Sequence, residues 1–151
     1  RCSWQNFGIF FIFVFLPCIL VPLLVVDRKR SHMEEVVNFL SVNEISSMKD
    51  LTTPGSPQNK AAIWIANEDR PHVTASTGRP FLERYVLAVL YFSLGGDTTW
   101  GDSLNFLQPG HVCNWGKPHT NTMGNDLTFG VHGCRQIDDE LVPVGLSLGE
   151  Y

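Results

Sequence analysis

From Phe7 to Val26 the chain runs for 20 residues without a charge, dense in Phe, Ile, Leu and Val. As an α-helix this run would extend about 30 Å, the hydrocarbon thickness of a bilayer. Pro17 and Pro22 would break a soluble helix but are accommodated in membrane spans, where freed carbonyls find other partners. Trp4 falls at the interfacial position expected before such a span. Two other readings place such a run in a buried core helix or in the apolar part of a signal peptide. A core helix should keep one polar face, which this run lacks, and no small-x-small cleavage site precedes Asp27. The sequence therefore predicts a membrane anchor over 7–26, within an amino-terminal segment 1–30, and a single-pass membrane localisation. The first residue is Arg1 rather than Met, so the chain reads as a fragment or as lacking its start.

Charge separates this segment from the rest. Of 11 Lys plus Arg, four (Arg1, Arg28, Lys29, Arg30) lie in 1–30, and of 15 Asp plus Glu only Asp27 does, which leaves 7 basic against 14 acidic side chains in 31–151. An acidic domain without a basic stripe argues against nucleic acid as a partner, because that binding depends on neutralising phosphates. The length of 151 residues suits one domain with a modest core.

Beyond the anchor, Met33, Val36, Val37 and Leu40 keep the i, i+3, i+4, i+7 spacing of a short amphipathic helix, with Ser31 as its N-cap. Thr52 to Pro57 is a turn or linker by its prolines and glycine. Ser56 then caps a second helix with Pro57 at its first position, and Trp64 and Ile65 face inward. Pro80 opens the strongest soluble helix, whose wide apolar arc runs from Phe81 to Phe92 and stops at Gly95-Gly96-Asp97. Trp100, Leu104, Phe106 and Leu107 form a further apolar group. Residues 116–126 read as an exposed polar loop, 127–131 as a short strand, 137–140 as an acidic turn, and 141–148 as a second alternating stretch.

Several of these segments resemble a known family. Ser56-Pro57-Gln58 through Trp64-Ile65-Ala66 to Glu68-Asp69, the helix Arg84-Tyr85-Val86-Leu87-Ala88-Val89-Leu90-Tyr91, and Gly95-Gly96-Asp97 followed by Trp100 are similar to motifs of leucine-rich-repeat proteins of the kind common in diatoms. Cys113-Asn114-Trp115 with Gly130-Val131 and Cys134 resembles the cysteine-tryptophan cap also seen in plant receptor-like proteins. The match runs over residues 33–151. It departs at the 14 residues from Gly116 to Phe129, at the pair His132-Gly133, and at Tyr151, which stands where a repeat would place its ladder asparagine.

The resemblance implies an α+β, mainly α fold. A transmembrane helix would precede a small helical leucine-rich-repeat N-terminal cap, with one or two short strands beginning a solenoid. The implied parts are the anchor and its basic flank (1–30), a helical juxtamembrane region with linker (31–80), the cap (81–140) and the start of a first repeat (141–151). It implies a disulfide between Cys113 and Cys134, and a cap core of Tyr85, Leu90, Trp100 and Trp115. The implied function is that of a membrane-anchored receptor-like fragment, truncated at the first repeat, whose following repeats would recognise a protein or peptide ligand. Topology carries a conflict: Arg28-Lys29-Arg30 would hold the carboxyl side in the cytoplasm, whereas a disulfide requires an extracellular or lumenal side. The cysteines are given the greater weight.

An alternative class rests on the same residues. His111, Cys113, His132 and Cys134 could form a tetrahedral zinc site in a small membrane-tethered domain, although the one-residue spacing within each His-x-Cys is atypical of zinc hairpins. His119 adds a fifth residue of that composition. No Gly-x-Ser-x-Gly elbow, P-loop, HExxH or dinucleotide glycine pattern occurs, so the sequence predicts neither an enzyme nor a cofactor.

Overall fold

The structure, a computed structural model, describes residues 32–69 and 73–148. Helix α1 occupies 32–42 and turns Val36 and Leu40 fully into the core, with Met33 and Val37 partly buried against it. It closes at Glu44, whose φ is 56°, and the Ile45 N–H returns to the Leu40 carbonyl at 2.9 Å. Helix α2 spans Met48–Thr52 and α3 spans Pro57–Asn67. Both start on a serine whose hydroxyl accepts an otherwise unpaired amide: Ser47 from Asp50 and Ser56 from Asn59. Asn59 also donates its side-chain amide to the Leu51 carbonyl at 2.8 Å, locking the start of α3 to the end of α2.

Helix α4, Arg79–Ser93, follows a short 3-10 turn over Ala75–Thr77. Its chain reversal at Gly78 has φ 68°, a conformation that carries no Cβ penalty only for glycine. At the other end the Gly96 amide donates to the Tyr91 carbonyl at 2.9 Å. Phe81, Tyr85, Ala88 and Tyr91 from α4 meet Ala61, Ala62, Trp64 and Ile65 from α3 in one hydrophobic cluster that also takes in Val36, Leu104, Phe106, Trp115 and Val131. Tyr85 reaches back to Ser46 through a 2.8 Å hydroxyl contact.

After a 3-10 turn over Val112–Asn114 come three strands: β1 (Gly116–Thr120), β2 (Asp126–Ile137) and β3 (Glu140–Ser147). They form an antiparallel sheet in the order β1-β2-β3, with Lys117 opposite Phe129 and Val131 opposite Leu146. The β2–β3 turn is Asp138-Asp139, with φ 48° and 63°. Two left-handed residues give the turn handedness that matches strand twist.

Several sequence expectations are corrected here. The described residues do not show a transmembrane helix leading into a helical cap with one or two short strands that begin a solenoid. Among the described residues the fold is four helices packed against a three-stranded antiparallel sheet. The expected loop over 116–126 is instead β1, a turn and the first residue of β2. Pro118 and Lys117 hid that strand, yet both suit an edge, where a missing amide costs nothing and a lysine discourages further pairing. The stretch 141–148 does not begin a solenoid within these residues, because it folds back on β2 as the closing strand of a hairpin. The predicted span 7–26 and the cap at Ser31 lie outside the described residues.

Among the described residues no helix is long and apolar enough to cross a membrane. Helix α4, at 15 residues, reaches about 22 Å, short of the roughly 30 Å that a span needs. The single-pass membrane assignment is accordingly not supported.

Candidate functional site at the disulfide-linked junction

The two halves of the fold meet at Trp115. The residue is fully buried, and its backbone carbonyl accepts the Val131 amide at 2.5 Å. Its indole N–H donates to the Gln108 carbonyl at 3.0 Å. Two residues earlier Cys113 is bonded to Cys134 of β2, with an S–S distance of 1.96 Å and Cα atoms 6.0 Å apart. Gly130 makes this close approach possible. Its φ is 90°, and a Cβ there would collide with the Trp115 carbonyl. The Gly-Val before the second cysteine thus has a physical role: the glycine lets β2 lie against Trp115, and the valine is buried beside it.

Beneath Trp115 lies a buried ion pair. Arg84 of α4 and Asp69 after α3 are 3% and 1% exposed. The Arg84 Nε donates to Asp69 Oδ2 at 2.8 Å, and its terminal nitrogens reach Asp69 Oδ1 and the carbonyls of Gln108 and Gly110. The guanidinium carbon sits 4.9 Å from the Trp115 ring centroid and 5.3 Å from that of Trp64. A charge so placed is stable only because its donors are satisfied and aromatic faces cover it. In the sequence Arg84 stands only as part of the Arg84–Tyr91 helical motif. The available signal was a charged residue inside the apolar arc of α4, which demands a buried acid.

Of the expected cap core, Tyr85 and Trp115 are buried and Trp100 is partly buried against the cluster, whereas Leu90 is only half-buried. The aromatic run continues through residues outside that expected core: Tyr91 stacks on Phe106 at 5.6 Å, and Phe106 lies 5.6 Å from Trp115. The four candidate metal ligands are not assembled. Both sulfurs are in the disulfide, His111 uses Nδ1 to accept the Cys113 amide at 3.2 Å, and the His132 ring lies over Gly145. Among the described residues no group of three or more His, Cys, Asp and Glu could hold a metal ion. His119 sits on β1 with its ring 5.2 Å from Phe129.

Two surfaces flank the junction. One is the outer edge of β3, which pairs with β2 on a single side and leaves Leu141, Val144 and Leu146 exposed. The other is a cleft with two lobes of about 200 and 230 Å³ that share Pro80, Glu83 and His111. Burial raises the pKa of Glu83, the charges of His111 and Arg79 oppose that rise, and Glu140 adds to it. Comparison with protein-family models, with curated proteins and with solved structures finds no match for this chain.

Proposed function

We propose that the domain is the terminal cap of a leucine-rich-repeat recognition protein, in which repeats continuing from β3 bind a protein or peptide. The observation that supports this reading is the asymmetry of the sheet's two edges. β1 is blunted by Lys117 and Pro118; β3 carries Pro143 in its first half, but its second half presents Val144 and Leu146 next to an open line of backbone groups. A repeat stack needs a terminal unit with a polar outside and an apolar inner end, because each repeat contacts only its neighbours. Here the helices would form the lid, and the Cys113–Cys134 bond would fix the lid to the strand that receives the first repeat.

The test is to append four consensus leucine-rich repeats after Leu148, in register with Leu146 and Leu148, and follow urea denaturation with probes in each part. A cap predicts one shared transition and a monomeric product that is more stable than the repeats alone. Two independent transitions, or repeats whose stability ignores the domain, would overturn the reading.

A further inference from the structure

The cleft beside α4 differs in chemistry from the apolar edge of β3. Its walls are Val73, Pro80 and Val112 in one lobe and Pro80 and Leu141 in the other. Its charged or titratable groups are Glu83, Glu140, Arg79, His111 and the already committed Arg84, and both His111 and Arg79 favour the Glu83 carboxylate without hydrogen-bonding to it. Arg84 is neutralised by Asp69, and Arg79 Nε stands 3.5 Å from Glu140 Oε2. That leaves Glu83, whose carboxylate has no hydrogen bond or ion pair among the described residues. The lobes of about 200 and 230 Å³ are each smaller than the roughly 300–1,000 Å³ that holds a whole drug-sized ligand. They are the right scale for one long side chain.

We infer that this cleft binds the basic side chain, lysine or arginine, of a partner polypeptide, with the alkyl stem along Pro80 and Val112 and the cation against Glu83. The stem replaces water on apolar walls, as long basic side chains do when they lie along apolar surface. The cation relieves two penalties at once: the desolvation that burial imposes on Glu83 and its repulsion from Glu140. Residues 31–151 are acidic, with 14 carboxylates against 7 basic side chains, so the wider field also draws a basic partner. The site lies between α4 and the first residues of β3 and does not depend on the solenoid reading.

The test uses the full chain with its disulfide intact and three probes: Nα-acetyl-lysine methylamide, Nα-acetyl-arginine methylamide, and the lysine probe acetylated on Nζ, which keeps the stem and loses the charge. Backbone amide shifts of Gly110, His111 and Val112 report binding. At least one cationic probe should saturate with a dissociation constant of about 1 mM, reasonable for so few atoms, and the neutral probe should bind at least about tenfold more weakly. Glu83→Gln should weaken the cation about fivefold or more. The neutral probe decides the matter without any substitution, and Glu140→Gln provides a second variant if Glu83→Gln does not fold. Equal binding of the neutral probe, no saturable shift with either cation, or undiminished binding to folded Glu83→Gln overturns the proposal.

Discussion

Helices α3 and α4 each bury five side chains, whereas β1 and β3 bury none and β2 buries only Gly130 and Val131. The two halves are therefore held by different means. The helical half carries its own core and a satisfied ion pair within it. The sheet has too little buried surface to persist alone, as small hairpins generally do. It is fastened through Val131, the partly buried Phe129 and Leu148, the amide of Val131 on Trp115, and one disulfide. A difference of this kind predicts that damage to the helices unfolds everything, while damage to the fastening frees the sheet first.

The largest effect should come from the helical half. Arg84→Ala leaves Asp69 buried without a partner and strips a cation from between two tryptophans. It is expected to cost about 3–5 kcal/mol, the usual penalty for orphaning a buried charge. Replacing both residues together, Arg84→Met with Asp69→Leu, should cost clearly less, because no charge is left stranded. Urea denaturation of the two variants checks this, and a single truncation costing under about 1 kcal/mol would mean the pair behaves like a surface contact.

Next comes the fastening. Reducing Cys113–Cys134, which are 21 residues apart, should destabilise the domain by about 3 kcal/mol by the loop-entropy argument. The loss should not be uniform. Hydrogen exchange is expected to quicken across Gly116–Ser147 while the amides of α3 and α4 stay protected. Equal acceleration in both halves would mean that the sheet and the helices open as one unit.

The helical half was the more legible in sequence because its signals are local. Ser56-Pro57 and Pro80 mark helix starts, and the apolar spacing in 33–40 and 81–92 marks the buried faces; α3 and α4 lie where those signals put them. The sheet was legible only in part. The expected strand at 127–131 lies within β2, the turn at 137–140 holds Asp138-Asp139, and 141–148 falls on β3. β1 and the full length of β2 were not visible, because their strand character comes from elsewhere in the chain. Gly116-Lys117-Pro118-His119-Thr120 has no alternation, since neither face of this edge strand is buried. Its strand character comes from pairing with β2. Arg84 with Asp69 was missed for a related reason: an ion pair across 15 residues leaves no periodic trace. The Cys113–Cys134 junction, by contrast, was suggested by a resemblance, and its local pattern acquires a physical cause only with Gly130 against Trp115.

Single side chains in the sheet should separate the fastening from the exposed surface. Val131→Ala, at a position 2% exposed, is expected to cost about 2 kcal/mol. Val144→Ala, at 53% exposed, should stay within about 0.5 kcal/mol. Equal costs would mean that the outer surface of β3 packs against something within the domain itself.

The smallest effects concern pH, and they have opposite directions in the two halves. Burial raises the pKa of Glu83 in α4, so the folded state holds that proton over a window in which the unfolded chain has released it. Its contribution to stability therefore falls as pH climbs from the ordinary glutamate value to the raised one. Asp102, which receives hydrogen bonds from Lys117 of β1 and from the Leu104 amide, has its pKa lowered chiefly by the Lys117 bond. Its stabilising effect is complete above the ordinary aspartate value and disappears as pH drops through the lowered one. Glu83→Gln should flatten the decline on the alkaline side of that range, and Asp102→Asn should flatten the loss on its acid side. Because Lys117 lies on β1, the Asp102 effect should appear in exchange of β1 amides before it appears in global unfolding. An acid loss that reaches α4 as early as β1 would mean the sheet is coupled to the helices more tightly than its burial implies.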